Sequence, residues 1–202
     1  MRAETLEEKM DLACRIAKSC FDRGIGSGTS GNLSFFHGGK LYITGSGTCL
    51  GFLAPCDFAC LPPGKDTAEN GVKPSKELPL HRMVYEKLPE GERENAAVIH
   101  IHSTYAVLWS CLEGLDPENC VPDHTPYLRM KMGSCGLIGY EKPGSQELFD
   151  RFRKEAGEHT GWLLAHHGLI VGGKSLMDAF GKSEELEEAC KVAWMLRQAQ
   201  GR

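Results

Sequence analysis

An α/β sandwich around a substantially antiparallel sheet is the fold this sequence predicts, on three observations. Segments with helical hydrophobic spacing are interspersed with short β-prone runs along the chain. Several of those runs meet across Gly-bearing turns, as hairpins do, which fits poorly with the regular crossovers of a parallel βαβ winding. Finally, 202 residues, 41% of them apolar and 25% charged, suffice for one well-filled core and are few for two ordinary domains. Residues 1–202 therefore read as a single domain.

Taken in order, Thr5 and Glu8 form a capping-box signal, and Leu6, Met10, Cys14, Ala17 and Phe21 recur at helical spacing until Gly24. The chain opens with an amphipathic helix. Asn32 to Phe36 and Lys40 to Thr44 read as two strands around a three-residue His37-Gly38-Gly39 loop. Pro62 to Pro74, rich in Pro, Gly, Asp and Lys, reads as a surface loop. Leu80, Met83, Val84 and Leu88 predict a helix over 77–88, and Ala96 to Ile101 a strand. Ser103 is placed to cap a helix through Leu112, and Ser145 to Glu155 and Leu176 to Arg197 supply two more. Between these last two, Trp162 to Ala165 and Leu169 to Val171 read as paired strands.

The 23 basic and 27 acidic residues leave a net charge of -4, with no basic stripe, which argues against a dedicated nucleic-acid or anionic-membrane surface. No apolar run is long enough to span a bilayer, and the acidic start lacks the plan of a secretion signal, so the expected location is cytoplasmic. Nine cysteines, an odd number without C-x-x-C spacing, read as mostly buried thiols in a reducing compartment, Cys56 and Cys60 among them as separate core residues.

His100-Ile101-His102 carries the most chemistry, because strand residues i and i+2 point to one side and both imidazoles can face one ion; the plainer alternative is two satisfied histidines at a strand end. A third candidate lies in His166-His167-Gly168, where another strand ends in a turn. Gly26 to Asn32 and Thr44 to Thr48 are Gly/Ser/Thr turns, able to act as anion nests or simply as turns. Pro74-Ser75-Lys76-Glu77 adds a hydroxyl, a cation and a helix N-terminus, which favour a phosphate or carboxylate, although Ser75 alone would pass for a cap.

In this order, Thr29-Ser30-Gly31-Asn32, Thr44-Gly45-Ser46-Gly47, Pro74-Ser75-Lys76-Glu77, His100-x-His102 and His167-Gly168 resemble the class II aldolase and adducin family, over about residues 6 to 199. The resemblance implies a three-layer α/β/α sandwich with a mixed, largely antiparallel sheet. It also implies a homotetramer with active sites between subunits, and a divalent metal: Zn2+, or another such as Co2+ or Mn2+. Carried over by position, His100, His102 and His167 match the metal ligands, while Glu77 matches a catalytic acid/base that also caps the metal in an empty site. Asn32, Ser46, Gly47 and Ser75 match positions that hold the substrate phosphate. His167 is preferred to His166 because the family's ligand immediately precedes the glycine, which leaves His166 a supporting or packing residue.

Within the family, Lys76, His102-Ser103-Thr104-Tyr105, Ser110-Cys111-Leu112, Thr125-Pro126-Tyr127, Pro143-Gly144 and Glu184 to Glu188 look closest to the 3-oxo-tetronate 4-phosphate decarboxylase branch. Gly45, where proline is common, and Arg129, in a stretch usually apolar or aromatic, depart from the pattern. The implied enzyme is a metal-dependent lyase that decarboxylates the sugar acid to dihydroxyacetone phosphate and CO2 through an enediolate. Glu77 would move the proton, and Lys76 would offer a second cation for phosphate or carboxylate. Tyr127 is either a proton donor over the site or a packing residue. The alternatives are a fuculose- or rhamnulose-phosphate aldolase, a methylthioribulose-phosphate dehydratase, and a catalytically silent module of the adducin kind, the last disfavoured because the three histidines and Glu77 are all present.

Overall fold

A computed structural model describes residues 4–201. Helix α1 (Leu6–Asp22) is followed by strands β1 (Asn32–His37), β2 (Lys40–Thr44) and β3 (Phe58–Leu61), then helix α2 (Leu78–Lys87) and strand β4 (Ala97–Ile101). Next come α3 (Thr104–Ser110), α4 (Tyr127–Met132), β5 (Gly136–Ile138), α5 (Gln146–Glu155), β6 (Gly161–Leu164), β7 (Gly168–Gly173) and α6 (Leu176–Ala199). The strands form one seven-stranded sheet in the order β3-β2-β1-β4-β7-β6-β5. Every pairing is antiparallel except β5 with β6. Among the described residues no helix is long and apolar enough to cross a membrane.

Pleating divides each strand between two cores. Leu33, Phe35, Ala97, Ile99, Ile101, Leu169 and Val171 pack with residues of α1, α3 and α6 on one face. Leu41, Ile43, Val98, Leu164 and Ile170 pack with α2 and α5 on the other, completing the α/β/α sandwich. Alternation therefore turns Asn32 and Ser34 of β1, and His100 of β4, toward the α2 layer, and the antiparallel register sets Asn32 opposite His100.

Thr5 closes the expected capping box, its hydroxyl accepting from the Glu8 N–H at 3.2 Å while Glu8 Oε2 accepts from the Thr5 N–H at 2.9 Å. The first hairpin is tighter than its sequence suggests. His37 pairs with Lys40, so the loop is the two residues Gly38 and Gly39, both with positive φ (57° and 74°), the turn that matches strand twist. The 62–74 loop covers the outer edge of β3: Asn70 accepts from the Cys60 N–H and donates to the Phe58 carbonyl, at 3.1 and 2.8 Å. Cys60 is buried as expected, but Cys56 lies exposed in the short turn Pro55–Asp57; all nine thiols are unpaired.

Ser103 does not cap α3 with its side chain. The buried Glu187 of α6 takes that role across the core, accepting from the N–H groups of Tyr105 (3.0 Å) and Ala106 (2.8 Å). A carboxylate there meets both the orphan donors and the positive helix end. Glu187→Ala should therefore lower unfolding free energy by about 2 kcal/mol in urea titrations.

Candidate active site

Three elements converge at the β4 end of the sheet. His100 is the penultimate residue of β4 and His102 lies just beyond it, while His167 sits in the turn between β6 and β7. That turn is shaped by His166, a non-glycine residue at φ 55°, and by Gly168, where a Cβ would run into the Ile101 carbonyl oxygen. The tight approach delivers His167 inward and leaves His166 exposed, its ring edge-on to Tyr140 at 5.6 Å. The His100, His102 and His167 rings meet at centroid distances of 4.8, 4.8 and 4.7 Å.

Burial pushes His100 and His167 down to about 3 and lowers His102 as well, so all three imidazoles are neutral near pH 7. His100 Nδ1–H donates to the Leu169 carbonyl at 2.8 Å, which leaves its Nε2 as a lone pair, 3.0 Å from His102 Nε2. Glu77 joins from the start of α2, with Oε2 3.3 Å from His100 Nε2 and Oε1 3.5 Å from His167 Nε2. Glu77 Oε1 and both His167 nitrogens are buried without a hydrogen-bond partner. One donor atom from each histidine lies within 4.8 Å of the others. An unpartnered His167 ring, facing two further neutral imidazoles and an unpartnered carboxylate oxygen, fits a divalent cation of the zinc, cobalt or manganese kind. His100 Nδ1–H···O=C is also the outer hydrogen bond that fixes the tautomer of a ligating histidine.

The cluster floors a cleft of about 230 Å³ lined by the Thr29–Asn32 and Gly45–Gly47 turns, Ser75, Lys76, Glu77, His102, Pro143 and His167. Ser46 spends its own N–H on the Lys73 carbonyl at 2.9 Å, so the loop offers the cleft the Ser46 hydroxyl and the Gly47 amide. Gly45 is held by the Asp57 carbonyl, which a Cβ at that position would meet at 2.9 Å. Lys76 places its charge close enough to lower His102 and His167. Its stem crosses the Pro143–Gly144 turn, where a Cβ on Gly144 would lie 2.7 Å from Lys76 Cδ.

Two expected site residues stand differently from their sequence reading. Asn32 lines the cleft, but its amide faces inward and donates to Glu77 Oε2 at 2.9 Å. Tyr127 begins α4, is 59% exposed and does not line this cleft, so within one chain it is neither over the site nor packed. Sequence reading also passed over His81, fully buried behind Asn32. The signal was there in the helical spacing of Glu77, His81 and Tyr85, each four residues apart, against Asn32 and Ser34 two apart on a strand.

Fold and cleft together are those of an α/β enzyme of the class II aldolase kind, with a histidine cluster that could hold a cation. Residues 11–194 match the Class II Aldolase and Adducin N-terminal domain, and the chain belongs to the class II aldolase and adducin family. It is 39% identical over 198 residues to the 3-oxo-tetronate 4-phosphate decarboxylase of Escherichia coli O6:H1 (strain CFT073), covering 96% of this chain and 88% of that one. It is 32% identical over 180 residues to the L-fuculose phosphate aldolase of Methanocaldococcus jannaschii, covering 88% and 91%. The crystal structure of YgbL from Klebsiella pneumoniae, described as an aldolase, epimerase or decarboxylase, superposes with a TM-score of 0.88 at 35% identity, covering 96% of this chain and 92% of that one.

Proposed function

We propose that this chain is a divalent-metal-dependent carboxy-lyase that converts a 3-oxo-tetronate 4-phosphate to dihydroxyacetone phosphate and CO2. The observation that carries it is the meeting, in one cleft, of an unpartnered Glu77 oxygen, a neutral three-histidine cluster and the Lys76 cation. His100, His102 and His167 would hold the metal, zinc by preference or cobalt or manganese, with Glu77 capping it while no substrate is bound. When bound, it supplies a Lewis acid that stabilises negative charge on the substrate's oxygens.

The chain's own residues supply the rest. Ser46, Gly47, Ser75 and Asn32 line the end of the cleft where the phosphate would sit; Asn32 contributes there through Glu77 more than by direct contact. Lys76 faces the carboxylate, the charge that distinguishes a sugar acid from a ketose. As the C–C bond to the carboxylate breaks, CO2 departs and its electron pair stays on the neighbouring carbon, which takes up one proton. Glu77 Oε1 is the atom we assign to deliver it, passing on a proton that the carboxylate takes up from solvent once in each turnover. Glu77 is only 4% exposed, which keeps its side chain largely out of contact with bulk water. Tyr127, exposed on α4, would reach a cleft only in a neighbouring copy, consistent with a homotetramer whose sites lie between subunits; a tyrosine donor there is expected to lose turnover in Tyr127→Phe. Nine unpaired cysteines suit a reducing, cytoplasmic setting.

The test is to supply metal-loaded protein with a 3-oxo-tetronate 4-phosphate and follow CO2 and triose phosphate together. Equal release of both, abolished by chelator, is expected. Triose phosphate from fuculose or rhamnulose phosphate alone, without CO2 from the acid, would reassign the chain as an aldolase. Lys76→Met keeps the stem and removes the charge. It should lower kcat/KM for the sugar acid by about 10–100-fold, as expected for one charged hydrogen bond. Ketose phosphate cleavage, assayed in parallel, should change little.

A further inference from the structure

Behind Glu77 lies a run of polar side chains that the proposed chemistry does not use, enclosed between α2 and β1. Glu77, Asn32, His81, Ser34 and Tyr85 are all buried, with exposures of 4, 6, 0, 0 and 4%. Asn32 Nδ2 donates to Glu77 Oε2 at 2.9 Å, and Asn32 Oδ1 contacts His81 Nε2. His81 Nδ1 lies 2.7 Å from Ser34 Oγ, which in turn lies 2.7 Å from Tyr85 Oη.

The donor and acceptor inventory allows this run one direction. A carboxylate only accepts, so the Asn32 amide nitrogen faces Glu77 and its oxygen faces His81. His81 must then carry its proton on Nε2, which makes Nδ1 an acceptor. Ser34 donates to Nδ1, and Tyr85 donates to Ser34. Burial pushes His81 down to about 3, so the ring stays neutral and this order holds throughout the working pH range. Buried from bulk solvent, each link depends on the next, and aligned hydrogen bonds polarise one another. The effect on Glu77 is asymmetric: Oε2 is tied back through Asn32, while Oε1 is left without a partner beside His167.

We propose that His81 is a positioning residue for Glu77: acting through the Asn32 amide, and braced by Ser34 and Tyr85, it fixes which carboxylate oxygen faces the reacting carbon and at what angle. The proposal rests on the reading of Glu77 as the proton-transfer group.

The test compares His81→Leu, which removes the donor to Asn32, with His81→Gln, whose amide can still donate there. Each is loaded with Co2+, titrated for affinity, recorded in the visible spectrum and assayed for decarboxylation. His81→Leu should lower kcat by about 10–100-fold with KM within about threefold, weaken Co2+ binding by about tenfold and alter its spectrum. His81→Gln should recover most of each loss. Wild-type kcat and spectrum in a folded His81→Leu, or equal impairment in the two variants, would overturn the proposal. Should His81→Leu fail to fold, Ser34→Ala removes the brace with little change of volume, and a kcat equal to wild type there would overturn it equally. If wild-type protein releases no CO2, the decarboxylase reading fails, while the Co2+ spectra still report on the placement of Glu77.

Discussion

His102→Ala should yield a folded protein that no longer retains a divalent cation through gel filtration, whereas His166→Ala should retain it as wild type does. His102 stands just past the end of β4 and is only partly buried, so its loss opens no core cavity of the kind that unfolds a protein. What it removes is one of three imidazoles whose donor atoms lie within 4.8 Å of one another. Losing an outer partner of a metal ligand costs roughly 10–100-fold in affinity, and losing the ligand itself should exceed that. Thermal unfolding gives an independent reading. A cation at 100 times its dissociation constant stabilises the native state by about 2.7 kcal/mol, so wild type and His166→Ala should gain melting temperature on adding metal and His102→Ala should not. Wild-type affinity in His102→Ala, or loss in His166→Ala, would move the site to the exposed histidine and its neighbour Tyr140.

Why the cluster was legible while its support was not comes down to range. His100 and His102 are related by strand period, and the His166-His167 pair by the strand end and turn around it, relations that span a few residues and survive in the sequence; the choice of His167 within that pair rests on the family resemblance. Glu187 caps α3 from 81 and 82 residues away, and no local pattern announces that. β3 escapes notice because Phe58 to Leu61 is buried on both faces and so shows no alternation. β5 is only three residues long and pairs in parallel with β6 around the whole of α5. His81 was hidden for a related reason. It sits among Leu80, Met83 and Val84, where apolar periodicity already accounts for the helix, and its meaning depends on Asn32 and Ser34 facing it from β1. The loop at Gly38–Gly39 and the exposed Cys56 were misjudged by a residue or a face, which is what short turns do to pattern reading.

Glu77→Gln should keep the fold and the phosphate-binding loops while lowering kcat by about 10²–10⁴-fold, the usual span for a positioned acid or base. The substitution is nearly isosteric, and its side-chain oxygen can still accept from Asn32 Nδ2, so the buried run behind it has no reason to collapse. What is lost is the charge and the exchangeable proton at the oxygen that has no other partner. Inorganic phosphate or triose phosphate should therefore bind with unchanged affinity, and KM should move far less than kcat, because an interaction made only in the transition state has been removed. Glu77→Asp makes the complementary case: it keeps the charge but withdraws it by one methylene from Asn32 and both histidines, and should fall between wild type and Gln. A Glu77→Gln protein with full turnover would sink the proton-transfer role. Turnover reduced equally in Gln and Asp, with metal content intact, would point instead to the geometry that Asn32 and His81 impose on this carboxylate as the limiting feature.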